Sequence, residues 1–382
     1  MKKIACITGT RGEYGAISSV LREISKSHDF DLVVIATGMH LMPKFGNTIN
    51  EIKKDGYEIH KIDAVYKKDT LGSTLKFISR FLDGLTDELV KLKPDLILLI
   101  GDRAEMLAGA IAGQYLNIPV AHLSGGDLTG HVDDSVRHAI TKLSDFHFPT
   151  NERSKETIIK MGEAEERVHL VGATSIDNIK NKEIPEKEKI AKKYDLNVSK
   201  PYIIALQHPV INEIDDVEKH TKNMMDAIVD LKIQSVVIYP NADAGGRKII
   251  DITNQYKNYP FIKIAKNVEY KGYFGLLKYA SAIVGNSSSA IIESPSFGIP
   301  AINIGTRQIG RLRAENVIDI GYEKEEIIKA IKKSLDDETF KSRCRQCKSP
   351  YGDGTAGKKI VKILSELKSK NKIMKKKTSF EK

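Results

Sequence analysis

The residues of this 382-residue chain that could do chemistry follow directly on short apolar runs. "GDRAEM" offers Asp102 and Arg103, and "SGGDLTGHVDDSVRHAITK" offers Asp127, Asp133, Asp134, Arg137 and His138. Further on, "QHP" contributes His208, "YPNADAGG" Asn241, "GNSSSAIIES" Ser287, Ser288 and Glu293, and "GTRQIGR" Arg307, Gln308 and Arg311. Carboxylates in such numbers suit proton transfer, and arginines suit phosphate or carboxylate. Three serines opening a helix offer N–H and hydroxyl donors to a diphosphate. Glu293, on that helix's second turn, can accept two hydrogen bonds from a ribose diol, since an ionised carboxylate only accepts. This combination suits a nucleoside diphosphate. Singly, each residue also has a structural reading: Asp133 as a helix N-cap, His208 as a satisfied core histidine. Polar groups recurring at the ends of buried runs are harder to explain that way.

The first such end is "GTRGEYG", where Gly9, Gly12 and Gly15 are spaced GxxGxxG. A dinucleotide fold spaces them GxGxxG and closes its second strand with an acidic residue, which is absent after Leu32–Thr37. The turn reads either as an anion site at a helix N-terminus, with Arg11 as a charged donor, or as an ordinary strand-to-helix turn.

Parallel α/β structure must position these groups, because β-rich runs alternate with helical patterns. In the first half the spacing predicts strands at Ile4–Thr8, Leu32–Thr37, Glu58–Ile62, Leu96–Ile100, Val120–Leu123, Phe146–Pro149 and Val168–Val171. A lysine- and glutamate-rich stretch, 178–201, reads as a linker containing a helix after Pro185. A second series follows at 202–209, Ser235–Pro240, Ile262–Ala265, Ala282–Gly285, Ala301–Ile304 and Val317–Ile320. The fold class expected is therefore α/β, with two doubly wound domains at 1–177 and 202–354 and a cleft between them. Ligands of open α/β sheets collect at the carboxyl ends of strands, where the polar residues stand.

Composition narrows the classes. No apolar run approaches the roughly 20 residues that span a membrane. The N-terminal apolar run is too short for a signal peptide, and with three cysteines the cytoplasm is the expected address. Cys344 and Cys347 make a lone CxxC with no second pair, so no metal is expected. Of the net charge of +10, more than half lies in the tail 368–382, which holds seven lysines and one glutamate. Without an RNA-binding motif or zinc finger, that tail reads as a solvated end, and neither nucleic acid nor membrane is an expected partner.

Taken together, "GTRGEYG", "GDRAEM", "DDSVRHAITKLSDFHF", "LQHPV", "PNADAGG", "GNSSSAIIE", "GTRQIGR" and "YGDG" span nearly the whole chain. In these motifs it resembles the UDP-N-acetylglucosamine 2-epimerases, specifically the hydrolysing branch that makes N-acetylmannosamine. The resemblance implies the glycosyltransferase-B architecture, two Rossmann-like domains about a cleft. A last helix, about 355–368, would return to the first domain and leave a basic tail at 369–382. It implies UDP binding by Arg11, Arg103, His208, Asn241, Ser287, Ser288, Glu293 and Arg307. Asp102, Asp133 and Asp134, with Arg137, fall at the sugar and catalytic positions, and His40 in "TGMHL" falls on a family motif. It further implies elimination of UDP to a 2-acetamidoglucal and hydration of that glycal, with no cofactor. The expected ligand is a UDP-sugar and the expected assembly a homodimer or homotetramer. Non-hydrolysing relatives typically carry "GTRPE" where this chain has "GTRGE". Several members also carry glutamate where this chain has Ser124, in "HLSGGD". A serine cannot act as acid or base, so either Asp127 reaches the same place or the sugar itself differs. The 2,4-diacetamido-2,4,6-trideoxy sugars are the natural candidates.

Overall fold

The computed structural model describes residues 1–369 except Asp69, His131, Val132, Lys182, Glu183 and Ala242. Residues 370–382 of the basic tail lie outside the described residues. The chain divides into two compact units. Unit 1 comprises Met1–Leu128, Val132–Asn181 and Tyr351–Lys382, and unit 2 comprises Thr129–His131 and Lys182–Pro350.

Among the described residues, unit 1 holds a sheet of β1 (Lys2–Thr8), β2 (Phe30–Ala36), β3 (Glu58–Lys61), β4 (Leu96–Ile100), β5 (Val120–Leu123) and β6 (Phe146–Phe148). The order is β3-β2-β1-β4-β5-β6, and neighbouring strands pair in parallel. Its helices are α1 (Arg11–Lys26), α2 (Ile49–Lys54), α3 (Leu71–Leu92), α4 (Ala104–Tyr115), α5 (Asp133–Leu143), α6 (Glu152–Lys160) and α7 (Thr174–Asn181). β4 reads "LILLI" and is buried throughout, as a parallel strand covered on both faces requires. In α3, Phe77, Phe81, Leu85 and Leu89 recur every fourth residue and are buried as one stripe.

Unit 2 repeats the plan with β7 (Tyr202–Leu206), β8 (Gln234–Ile238), β9 (Ile262–Ala265), β10 (Ala282–Gly285), β11 (Ala301–Ile304) and β12 (Val317–Ile320). The sheet order is β12-β11-β10-β7-β8-β9, all parallel. Counted from β7, this is the same doubly wound order as in unit 1, so each sheet has a switch point beside its first strand. In unit 1 the switch lies between β1 and β4, and in unit 2 between β7 and β10. The helices are α8 (Lys187–Tyr194), α9 (Val217–Leu231), α10 (Gly246–Gln255), α11 (Tyr270–Tyr279), α12 (Ser289–Ile292), α13 (Lys324–Asp336) and α14 (Glu338–Gln346). α8 is the helix expected after Pro185.

The last helix, α15 (Ala356–Ser369), belongs to unit 1. It packs Ala356, Ile360 and Leu364 into the same core as Ile17, Leu21 and Ile24 of α1. Its first N–H groups have no partners within the helix, and Asp177 of α7 accepts from Ala356 at 2.9 Å and Gly357 at 2.6 Å. A carboxylate distant in sequence thereby fixes where this helix starts.

Two expectations about elements need correction. Val168–Val171 is not a strand, since only Val168 bridges to His147. The segment donates twice more to the β6 strand and its end, from His169 to His147 and from Val171 to Pro149, before Gly172 turns away at φ +95°. The helix after "GNSSS" is a single turn, Ser289–Ile292, with Glu293 at its C-cap and a 3-10 turn at Ser294–Phe297 beyond. Pro295 lacks the N–H needed to continue an α-helix, so the second turn expected to carry Glu293 does not form.

Among the described residues, no helix is long and apolar enough to cross a membrane, and no group of three His, Cys, Asp or Glu could hold a metal ion.

Candidate active site

The glycine-rich turn after β1 holds carboxylates of its own chain. Thr10 caps α1 by accepting from the Glu13 N–H, while Glu13 Oε2 accepts from the N–H groups of Gly9 and Thr10, both at 2.9 Å. This reciprocal pair satisfies donors that an external anion would otherwise use. A second carboxylate, Glu105 from α4, is wholly buried against the same turn. A Cβ added to Gly9 would fall 2.3 Å from Glu105 Oε1, and one added to Gly38 would fall 2.9 Å from it. These two glycines make the space that Glu105 fills.

Arg103 compensates the two acids. Its Nε lies 3.4 Å from Glu105 Oε2 and 3.7 Å from Glu13 Oε1, and its guanidinium donates to the Tyr66 hydroxyl at 3.3 Å. Tyr66 in turn donates to Glu105 at 3.1 Å. Burial pushes the Glu13 carboxyl up to about 8; Glu105 adds to the rise and Arg103 opposes it. Arg11 is the first residue of α1 and half-buried. His40 is buried, its ring held between Thr8 at 3.0 Å and Thr48 at 2.7 Å, and burial pulls its pKa down to about 3.

The other pole of unit 1 is Arg137 on α5, only 1% exposed. Its guanidinium pairs with Asp102 beyond β4, donates to Asp134 at 2.6 Å, and donates to the backbone carbonyl of Asp127 at 2.7 Å. Burial alone would lower its pKa, but Asp102, Asp127 and Asp134 outweigh that and raise it.

Asp127 itself faces α6, where its Oδ1 accepts from Ser154 Oγ at 2.5 Å and Asn151 Nδ2 at 3.3 Å. Asp133 opens α5 beside Asp134, and both are half-buried. Ser124 sits at φ +61°, a conformation that costs a non-glycine residue roughly 1–3 kcal/mol, with its N–H on the Phe148 carbonyl at 3.0 Å.

Unit 2 gathers its candidates around Asn286, which the sequence reading passed over although it follows β10 directly. Asn286 is fully buried and bridges the switch point: its Oδ1 accepts from the His208 N–H at 2.7 Å and its Nδ2 donates to the His208 carbonyl at 2.9 Å. Its own carbonyl accepts from Arg307 at 3.1 Å and Gln308 at 3.0 Å. The Asn241 N–H approaches His208 Nδ1 at 3.4 Å. Glu293 accepts from Ser289 Oγ, which accepts from the Tyr273 hydroxyl. Ser287 Oγ accepts from the Ser289 N–H at 3.3 Å, and Ser288 is the N-cap of α12.

Thus Asp102, Asp127, Asp134 and Arg137 meet in unit 1, and His208, Asn241 and Arg307 join through Asn286 or its neighbours in unit 2. Glu13, Glu105, Tyr66 and Asn286 were missed. The available signals were the capping-box spacing of Thr10 and Glu13, and an amide directly after an apolar strand.

Residues 22–365 match the protein family described as UDP-N-acetylglucosamine 2-epimerase. The chain is 36% identical to a UDP-N,N'-diacetylbacillosamine 2-epimerase (hydrolyzing) of Legionella pneumophila, across 98% of this chain and 99% of that protein. It is 35% identical to a UDP-N-acetylglucosamine 2-epimerase of Neisseria meningitidis, across 89% and 91%. A crystal structure of a UDP-GlcNAc 2-epimerase from Neisseria meningitidis bound to UDP-GlcNAc shares the fold with a TM-score of 0.81 at 21% identity. That likeness covers 95% of this chain and 100% of that one.

Proposed function

We propose, from the premise that this chain belongs to the UDP-N-acetylglucosamine 2-epimerase family, that it is a hydrolysing 2-epimerase of a UDP-2-acetamido sugar. It takes UDP-N-acetylglucosamine and water to N-acetylmannosamine and UDP. The observation that carries this reading is the Arg137 cluster, in which a buried guanidinium holds Asp102 and Asp134 and the backbone of Asp127.

The C2 proton of the sugar is barely acidic, because no carbonyl adjoins C2. Its removal becomes feasible when the C1–O bond to UDP breaks in the same elimination. A carboxylate takes the proton, C1=C2 forms, and UDP leaves with the bonding electrons. Water then adds its hydroxyl at C1, and a proton returns to C2 from the opposite face. Asp102, Asp127, Asp133 and Asp134 are the carboxylates assigned to these transfers, with Arg137 holding Asp102 and Asp134 in place. Arg11, Arg103, His208, Asn241, Ser287, Ser288 and Arg307 bind the UDP portion, offering donors to a leaving group that gains charge, and Glu293 accepts from its ribose hydroxyls.

A second substrate, the UDP-2,4-diacetamido-2,4,6-trideoxy sugar, is favoured by Ser124 and by the Legionella pneumophila relative. Serine leaves room beside the ring that a glutamate fills.

Incubating each UDP-sugar in deuterated water and following products by NMR tests both points. UDP release with deuterium at C2 of a free manno-configured sugar is the expected result, and the better substrate has the higher kcat/KM. Return of an intact UDP-linked epimer, or no UDP release from either sugar, overturns the hydrolysing assignment.

A further inference from the structure

We propose that His122 is a positioning residue for the Asp102–Arg137 pair, clamping the turn after β4 to α5. The inference rests on the reading above, in which Asp102 and Arg137 serve the reacting sugar.

His122 is the third residue of β5 and is fully buried. Its Nε2 lies 2.8 Å from the Gly101 carbonyl and its Nδ1 lies 3.2 Å from Thr141 Oγ1. A carbonyl can only accept, so Nε2 carries the proton and donates. Burial pulls the imidazole pKa down to about 3, and the neutral ring leaves Nδ1 as an acceptor facing the Thr141 hydroxyl, whose one proton is shared between Nδ1 and the Arg137 carbonyl 3.1 Å away. His147, Arg137 and Asp102 are the charged or titratable neighbours of the ring. The tautomer is therefore set by its partners.

The two partners lie where they bear on Asp102 and Arg137. Gly101, at φ +79°, turns the chain off β4, and its carbonyl immediately precedes Asp102. Thr141 stands one helical turn after Arg137 on α5. Two connections thus join the same elements, one charged from Asp102 to Arg137, the other neutral from Gly101 through His122 to Thr141. The charged one is shared, since the same guanidinium also serves Asp134 and the Asp127 carbonyl. The Asp102–Arg137 tie is a hydrogen bond from one guanidinium nitrogen, and the hydrogen-bonded imidazole adds a second tie that fixes distance and angle between the same elements. Gly125 is the matching concession in sequence: a Cβ there would lie 2.9 Å from both His122 Nδ1 and Thr141 Oγ1.

Four variants test the clamp by steady-state UDP release, UDP calorimetry and thermal melting. His122→Phe keeps the ring but removes both hydrogen bonds, and Thr141→Val removes one hydroxyl. The expected result is a kcat at least tenfold lower in His122→Phe and at least threefold lower in Thr141→Val, with KM and UDP affinity within twofold of the native protein. His122→Gln, whose amide reaches toward Gly101, and Thr141→Ser are expected to recover most of the loss. If His122→Phe fails to fold, the Thr141→Val and Thr141→Ser pair still decides. Native kcat in Thr141→Val, or a loss that Thr141→Ser does not recover, overturns the clamp while leaving the enzymatic reading intact. Absence of UDP release by the native protein overturns the enzymatic reading instead.

Discussion

At the switch point of the first sheet the candidate residues are mostly ions, and at that of the second they are mostly neutral amides, hydroxyls and backbone groups. In unit 1, Arg137 pairs with Asp102 and Asp134, and Arg103 lies beside Glu105 and beside Glu13, whose carboxyl is pushed up toward its neutral form by burial. In unit 2, Asn286 ties His208, Arg307 and Gln308 through backbone and amide contacts, and Ser289 joins Glu293 to Tyr273. Buried charges lose hydration, which close ion pairing only partly restores; removing one partner of such a pair costs roughly 3–5 kcal/mol. An amide network avoids that cost. Under the function proposed above, the contrast corresponds to two tasks: proton transfer at the Arg137 cluster of unit 1, as against holding a ligand whose charge is largely present from the start in unit 2.

The sharpest way to break the comparison is Asp102→Asn. This removes the carboxylate while keeping size and some hydrogen bonding. Turnover is expected to fall by about 10²–10⁴-fold, the range for a lost acid–base group, with UDP affinity by calorimetry unchanged. A matching loss of UDP affinity would place Asp102 on the nucleotide instead. The converse variant is Glu293→Ala in unit 2. UDP binding is expected to weaken by about 1.5–3 kcal/mol, roughly tenfold to hundredfold, with the melting temperature nearly unchanged. Unchanged UDP affinity would remove Glu293 from the nucleotide site.

The smallest expected effect concerns acid stability. His40 and His122, both in unit 1, have folded pKa values pulled down by burial to about 3. Their unfolded value is about 6.5, so below that pH the unfolded chain binds more protons. The stability they support is complete above about pH 6.5 and is lost as pH falls toward 3. His40→Asn is expected to flatten this acid limb by on the order of 1–2 kcal/mol at pH 5, read from urea midpoints across pH. An acid limb as steep as that of the native protein would show that other groups control it. Glu13 has the opposite sign: its raised pKa gives stability at low pH that is lost as pH rises toward about 8. Glu13→Gln therefore separates the two contributions.

Much of this was legible along the chain because it is local. Apolar β-rich runs such as "LILLI" identify strands covered on both faces, and the polar residues after them identify strand ends. The motifs were sufficient to name Asp102, Arg137, His208 and Arg307 as candidates and to suggest the family. Tertiary structure alone decided which of them touch, because the partners lie far apart in sequence. Asp102 and Arg137 are 35 positions apart, and Asn286 and His208 are 78 apart. The turn "GTRGEYG" makes the same point: its spacing departs from a dinucleotide fingerprint but left open what it holds. The occupant, Glu105, arrives from α4 because the parallel order places the end of β4 beside that of β1, and a carboxylate brought there needs both a glycine's missing side chain and an arginine's charge.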